Sequence, residues 1–462
     1  MTDLTSTALA AQLTIHPQQT QQRMDGFGAS GGWWAQMVGQ HPESREQVLD
    51  WLHHPTRGLG LTIYRHNLGA GVSSAPDPWR RAETNDLVPG EADWNRDAAA
   101  IACLTGAVAR GVSDVVLFAN SPTDRLTLSR QADGHPQGKS NLRPGAGGAF
   151  AHFLVDAAQH FLTRLKRPSV WLSPINEPQW DWQPAKGQEG CHYTPEECAD
   201  LAWLVLAELA ARDETRVKLS LIDSATWHTA PPYLAALLAR PEVRAAMLHF
   251  SVHSYFNDAA QKARALEELH ALAPALPLWM SEWTEMRAGR DLGMDSALNL
   301  AREMHDDLTL GGVTSWQAWI AVSKYDFRDG LIYVDAEGQH PQATKRLWAL
   351  GQFSRFVRPG DRRVEVTVSG DLPVSAYISA DGESLSAVMV NAGEAMNLRL
   401  NVPEGFTPSS ARLVVTDAEH DLAEVWCGPA QSGRTVLLPA RSVSTLIFAR
   451  RTGGERWNAI SR

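Results

Sequence analysis

The sequence predicts an α/β fold: a (β/α)8 TIM barrel with a C-terminal β-sandwich that also takes in an N-terminal strand. Three observations lead there. From about residue 25 to 350, short apolar runs alternate with longer amphipathic stretches, the rhythm of a parallel sheet covered by helices. After about residue 355, short alternating segments parted by Gly, Asp, Asn and Pro replace that rhythm, an all-β texture. The 462 residues are too many for one small core and suit a large barrel with a companion unit. The expected division is residues 24–352 for the barrel and 1–23 plus 353–462 for the sandwich.

The strands follow in order. GFGASGG opens the series, followed by GLTIYRHNLG, DVVLFANSP, SVWLSPINEP, VKLSLIDSATW, MLHFSVHSYF, PLWMSEWTE and TSWQAWIAV. Each is a short apolar or β-branched run that turns polar or aromatic at its end. Eight strands, each but the last with a plausible helix after it, fit a closed barrel. An open doubly wound sheet is the alternative that periodicity alone allows. The helix YTPEECADLAWLVLAELAARD opens with Thr194, Pro195 and Glu197 at its N-cap, N1 and N3 positions, a capping-box signature. The later segments RVEVTVSG, VSAYISA, SLSAVMVNA, MNLRLNV, ARLVVTDA and TVLLPARSVSTLIFA read as sandwich strands. LTIHPQQTQQRM near the start supplies one more.

The formal charge of -10 argues against a nucleic-acid partner, which needs a basic surface. No apolar run approaches the roughly 18 residues of a membrane span. MTDLTSTALAAQLTIHPQQ lacks a basic segment and a long apolar stretch, so the reading is a cytoplasmic protein unless the start was trimmed. The four cysteines form no C-x-x-C pair, which disfavours zinc and dense disulfides. Cys191 and Cys198 are expected as free thiols. Seventeen Trp exceed both the 7 Tyr and the 12 Phe, and indole faces are common platforms for sugar rings.

Barrel enzymes carry their reactive groups at the carboxyl ends of the strands. Here those ends hold Arg65, His66 and Asn67; Asn120; Asn176 and Glu177; Asp223 and Trp227; His253 and Tyr255; Glu282 and Trp283; and Trp316, Gln317 and Trp319. Glu177 in SPINEP lies on the fourth strand and Glu282 in LWMSEW on the seventh, so a closed barrel brings them face to face. Two such carboxylates are what glycoside cleavage needs, one to protonate the departing oxygen and one to attack the sugar. Arg65 beside Glu282 would hold it ionised, and drier surroundings near Trp180 and Trp182 would keep Glu177 protonated. The bland alternative is a pair of buried, ion-paired carboxylates.

The stretch DGFGASGGWW matches both G-x-G-x-x-G and G-x-S-x-G. A dinucleotide site wants an acid at the end of the next strand, where Arg65, His66 and Asn67 stand. A nucleophile elbow wants its Ser late in the sheet, not on the first strand. The glycines are read instead as a tight turn at the barrel mouth, with Trp33 or Trp34 beside the sugar and Trp34 the chosen residue.

INEP and SEW resemble the acid/base and nucleophile motifs of the retaining clan A glycosidases. With GFGAS, YRHNLGAG and the β unit, the chain is similar to glycoside hydrolase family 30 from about residue 11 to 450. The resemblance implies Glu177 as acid/base, Glu282 as nucleophile and Asn176 as partner of the sugar 2-hydroxyl. It also implies Arg65 and Tyr255 at the nucleophile, retention by double displacement, and carboxyl groups about 5–5.5 Å apart. No cofactor and no metal are implied, and the partner is an oligo- or polysaccharide. GQEGCHYT and RHNLGAG resemble the β-1,6-galactanase branch, while TDRLTL after NSP departs from it, leaving both endo action and exo release of galactobiose open. Other family specificities (β-1,6-glucanase, xylanase, glucosylceramidase) and a non-catalytic sugar-binding protein are the alternatives. The expected substrate contacts are Asn176, Arg65, His253, Tyr255, Asn120, Trp34, Trp180, Trp227, Trp316 and Glu189. Trp171, Trp279 and Trp348 are read as core, and Asp223 as a cleft group or a hydrogen-bonding residue at a loop base.

Overall fold

A computed structural model describes residues 9–88, 90–401 and 405–450. Parallel strands Gly26–Ser30, Ile63–Asn67, Asp114–Phe118, Val170–Ser173, Phe250–His253, Leu278–Trp283 and Ser315–Ala318 form seven staves of a barrel. The fifth stave is broken in two at Ser220. Val217–Leu219 pairs with the fourth strand, while Leu221–Ser224 pairs with the sixth. The last strand pairs back to the first, Gln317 against Gly28, and so carries the sheet around.

Inside the barrel floor, Ile63, Val116, Trp171 and Trp279 form a small apolar plug. The indole N–H groups of Trp171 and Trp279 donate to Asp114 and Asp25 at the rim, 3.0 Å each, so burying the rings strands no donor. Gly28 makes room for this packing, since a Cβ there would stand 2.7 Å from the Ile63 side chain. The helix Pro195–Ala211 begins as its sequence predicts. The Thr194 hydroxyl accepts from the Glu197 amide at 3.2 Å, and the Glu197 carboxylate accepts from the Thr194 amide at 2.8 Å.

The second unit is a mixed nine-stranded sheet folded over its own core. The N-terminal strand Leu9–Arg23 lies third from one edge, antiparallel to Arg362–Val368 and parallel to Met396–Leu400. Leu13, Ile15, Val364, Leu398 and Leu446 are among the side chains that meet inside. Residues 1–8, 402–404 and 451–462 of the expected sandwich lie outside the described residues. The helix Lys345–Ser354 joins the two units, packing on Ser410–Thr416 and Ser442–Ala449. Among the described residues no helix is long and apolar enough to cross a membrane.

Candidate active site

A cleft of about 620 Å³ opens at the carboxyl ends of the barrel strands. Glu177 and Glu282 both line it, and an oxygen of each lies within 4.8 Å of the other. Each reaches this point by a different local route. Glu282 sits in the seventh strand, where the pairing to both neighbouring strands shifts register around it. Glu177 follows the end of the fourth at a left-handed φ of 47°, its amide donating to the carbonyl of Asp223 at 2.9 Å. A non-glycine residue in that region costs on the order of 1–3 kcal/mol and persists only where its neighbours fix it. Here the Trp182 indole fixes it further, donating to the Glu177 carbonyl at 3.0 Å.

Arg65, fully buried, organises the floor of the cleft. Its Nη1 donates to Glu282 at 2.5 Å, and its Nη2 donates to Asn176 at 2.6 Å and to Asp223 at 3.0 Å. Burial alone would weaken the guanidinium charge, but Asp223 and Glu282 more than restore it, raising its pKa above the ordinary value. Asp223 in turn accepts from Ser173 and Ser281, 2.6 Å each. Burial pushes its carboxyl up, yet Arg65, His253 and the two hydroxyls bring it below the usual range. Tyr255 donates to the other Glu282 oxygen at 3.1 Å.

His253 Nδ1 lies 2.9 Å from Glu177 and 3.8 Å from Glu282. Burial raises the Glu177 pKa, against the lowering pull of the His253 contact. Burial lowers that of the imidazole, but Glu282 and Glu177 reverse this and leave it raised. Both partners therefore hold a proton more tightly than in water, and the pair shares one into the pH range where a free histidine would lose it. Glu177, His253 and Glu282 are the one His/carboxylate group among the described residues spaced to hold a metal ion. Arg65, at 2.5 Å from Glu282, already occupies the cationic role there.

A third carboxylate, Glu189, belongs to the loop after the fourth strand. It accepts from the amide of Ala70 at 2.8 Å and from the Asn67 side chain at 3.2 Å, and burial carries its pKa up to about 7. Asn120 donates to Asn67 at 3.3 Å and lines the cleft beside Glu189. Trp180 lines the wall, edge-on to Phe256 at 6.2 Å.

Three expected contacts stand elsewhere. Trp34, Trp227 and Trp316 are fully buried and absent from the cleft wall, their indoles donating to Ser30, Ser254 and Asp307. Along a strand, successive side chains face opposite ways, so an odd step changes the face presented. Trp33, not Trp34, reaches the cleft, because Trp33 takes a left-handed φ of 67° in the turn. Trp319, not Trp316, does so at the eighth strand, resting where Gly32 leaves space; a Cβ at Gly32 would stand 2.7 Å from its ring. Arg65 and His253 lie beneath the wall and touch the carboxylates from behind. Arg80, Tyr325, Phe327 and Asp329 complete the lining from long loops that carry no periodic signal.

The chain matches the family model "O-Glycosyl hydrolase family 30" over residues 10–333. It is 23% identical to the lysosomal acid glucosylceramidase of Mus musculus, covering 85% of this chain and 79% of that protein. Its fold superposes on a conserved exported protein from Bacteroides fragilis with a TM-score of 0.84, at 23% identity over 94% of this chain and all of that one. It also superposes on the catalytic domain of GH30 xylanase C from Talaromyces cellulolyticus, with a TM-score of 0.74 at 20% identity over 95% of this chain and all of that one. The cytoplasmic expectation finds no support in a structural relative that is exported. With the family model spanning most of the chain and the barrel and β-sandwich in place, this chain belongs to glycoside hydrolase family 30 and is a glycoside hydrolase.

Proposed function

We propose that the enzyme cleaves β-1,6-linked galactan or galacto-oligosaccharides with retention, using Glu177 as acid/base and Glu282 as nucleophile. The observation that carries the mechanism is the approach of the two carboxylates to within 4.8 Å. That is the closeness of retaining enzymes, about 5–5.5 Å, and falls short of the roughly 6.5–9.5 Å that leaves room for a water in inverting ones. The proton held by the Glu177–His253 pair goes to the departing oxygen as Glu282 attacks the anomeric carbon. Arg65 and Tyr255, each bonded to one Glu282 oxygen, keep the attacking atom aimed and receive the carboxylate when water, deprotonated by Glu177, releases the sugar. Because Arg65 occupies the Asn176 carbonyl oxygen, the amide Nδ2 is left to donate to the sugar 2-hydroxyl.

The galactan assignment rests on the GQEGCHYT and RHNLGAG resemblance. Support comes from Glu189 of the first stretch accepting from Asn67 of the second at the cleft wall. A second reading, a glycosidase acting on an apolar aglycone, is favoured by Phe256 and Met286, which line the cleft 63% and 56% exposed.

The test is a product profile on β-1,6-galactan and β-1,6-galactobiose, with anomeric configuration followed by NMR and Glu282→Ala as control. The β-anomer appears first if the mechanism holds, and the α-anomer first rejects it. Products only from xylan or β-1,6-glucan reject the galactan assignment, and products only from alkyl glucosides install the second reading. Sugar binding without turnover in wild type would make the protein a lectin.

A further inference from the structure

The ladder of the sixth strand ends at His253, whose last rung is to Glu282. Ser254 and Tyr255 lie past that rung, and at Phe256 the chain turns out of the barrel with a left-handed φ of 52°. Yet His253 has to bring its Nδ1 to Glu177, and Tyr255 its hydroxyl to Glu282. Backbone pairing alone does not fix that strand end. Ser254, between the two, turns its side chain away from the cleft into the interior. Its hydroxyl donates to Asp307 at 2.7 Å and accepts from the Trp227 indole at 2.8 Å.

Asp307, on the helix Met294–Thr309, has no exposure to solvent. It also accepts from the Trp316 indole at 2.9 Å and from Lys262 at 2.6 Å. Lys262, on the helix Ala259–Leu272, is buried and shares its ammonium between Asp307 and Glu303. Burial works against that charge, but the two acids more than restore it, so the cation stays. Taking two ions out of water offsets much of their attraction, so stability is a weak reason to bury them. Orientation is a stronger one here. The bonds that meet at Asp307 come from the end of the sixth strand, from the eighth strand and, through Ser254, from the turn after the fifth. None of these side chains lines the cleft.

We infer that Asp307, neutralised by Lys262, is a positioning residue for the hydrolytic reaction. Its grip on the Ser254 hydroxyl fixes the end of the sixth strand, and so aims His253 at Glu177 and Tyr255 at Glu282. The effect on rate rests on the hydrolase reading, and the effect on His253 does not.

Ser254→Ala cuts this link without unpairing the buried Lys262. On the glycoside that wild type cleaves best, kcat is expected to fall about tenfold or more with KM within about twofold, because misplaced groups slow the chemistry while the cleft wall keeps its contacts. Glu282 and Glu177 hold the His253 pKa up, so loosening those contacts brings it down. Nitrogen NMR of labelled histidine should therefore show His253 titrating about one pH unit lower in Ser254→Ala than in wild type. Trp316→Phe is the control. It takes a donor from the same carboxylate but leaves the Ser254 link, so kcat and the His253 titration should stay near wild type even as stability falls. Unchanged kcat and titration in Ser254→Ala would overturn the inference, whatever the melting temperature, and so would an equal change in Trp316→Phe. If wild type turns over no glycoside, the hydrolase reading fails and the titration alone decides. His253 titrating lower in Ser254→Ala would still uphold the positioning, and an unmoved titration would overturn it.

Discussion

Arg65 donates to Glu282 at 2.5 Å from a position with no exposure to solvent, and the same side chain reaches Asp223 and Asn176. One guanidinium therefore offsets two carboxylates and aims an amide. Its planar fork makes this possible, and a lysine has the charge without the fork.

Arg65→Lys is accordingly expected to lower kcat/KM at least about a hundredfold and to destabilise the fold. Breaking a buried pair by removing one partner costs about 3–5 kcal/mol, and lysine restores only part of that. Steady-state kinetics with a denaturant melt check both. A variant as stable as wild type would show that Arg65 is not the organiser of the floor.

The raised pKa of the Glu177–His253 pair fixes the alkaline limb of activity. As pH rises through it the general acid is lost, so kcat/KM on an unactivated galactoside falls on the basic side. Glu177→Gln should abolish that limb and slow such substrates by about a hundredfold or more. A dinitrophenyl galactoside, whose leaving group needs no proton, should be much less slowed in its first step. Equal losses on both substrates would deny Glu177 the acid role.

Glu189 makes the opposite kind of pH prediction, about stability. Its folded pKa of about 7 exceeds the ordinary 4.5, so the unfolded chain gives up this proton first. Between those values the folded state binds more protons, and stability falls as pH rises, by up to about 3 kcal/mol from this group. Glu189→Gln removes that slope. The variant loses acceptor capacity for Ala70 and Asn67 at every pH, but the gap to wild type should narrow from pH 4.5 to 7. A gap independent of pH in urea melts would contradict the shift.

The tryptophans separate core from cleft. Trp316→Phe removes the donor to Asp307, a carboxylate that also accepts from Lys262 and Ser254, and should destabilise by about 1–3 kcal/mol with KM nearly unchanged. Trp33→Ala should raise KM severalfold with a smaller loss of stability. Reversed results would return Trp316 to the cleft.

Those tryptophans also show where the sequence stops being informative. Strand ends are legible because apolar runs break there, and so Arg65, Asn120, Asn176, Glu177, His253, Tyr255 and Glu282 could be named beforehand. Which way a ring points is not, since it depends on a turn angle at Trp33 and on a pleat only four residues long at Trp316. The orientation of Asp223 is illegible for the same reason. Its left-handed φ of 56° turns it beneath the cleft toward Arg65, where it serves the floor. Arg80 and Tyr325 lie on loops whose course is set by tertiary contacts, including rings that meet only in the folded chain.

The gap in the fifth stave remains. Beyond Ser220 the rungs to the fourth stave cease, and the freed carbonyl of Asp223 holds the amide of Glu177 instead. Glu282, by contrast, rides a stave laced on both sides. The jaws of the cleft are thus unequally anchored: one is part of the frame, and the other hangs from a seam. Substitutions at Leu221 or Ile222 would shift Glu177 through the Asp223 carbonyl. Replacing Asp223 itself would also loosen Ser281 and Arg65 on the Glu282 side, so the seam just before Asp223 is the place to retune the enzyme for a bulkier sugar.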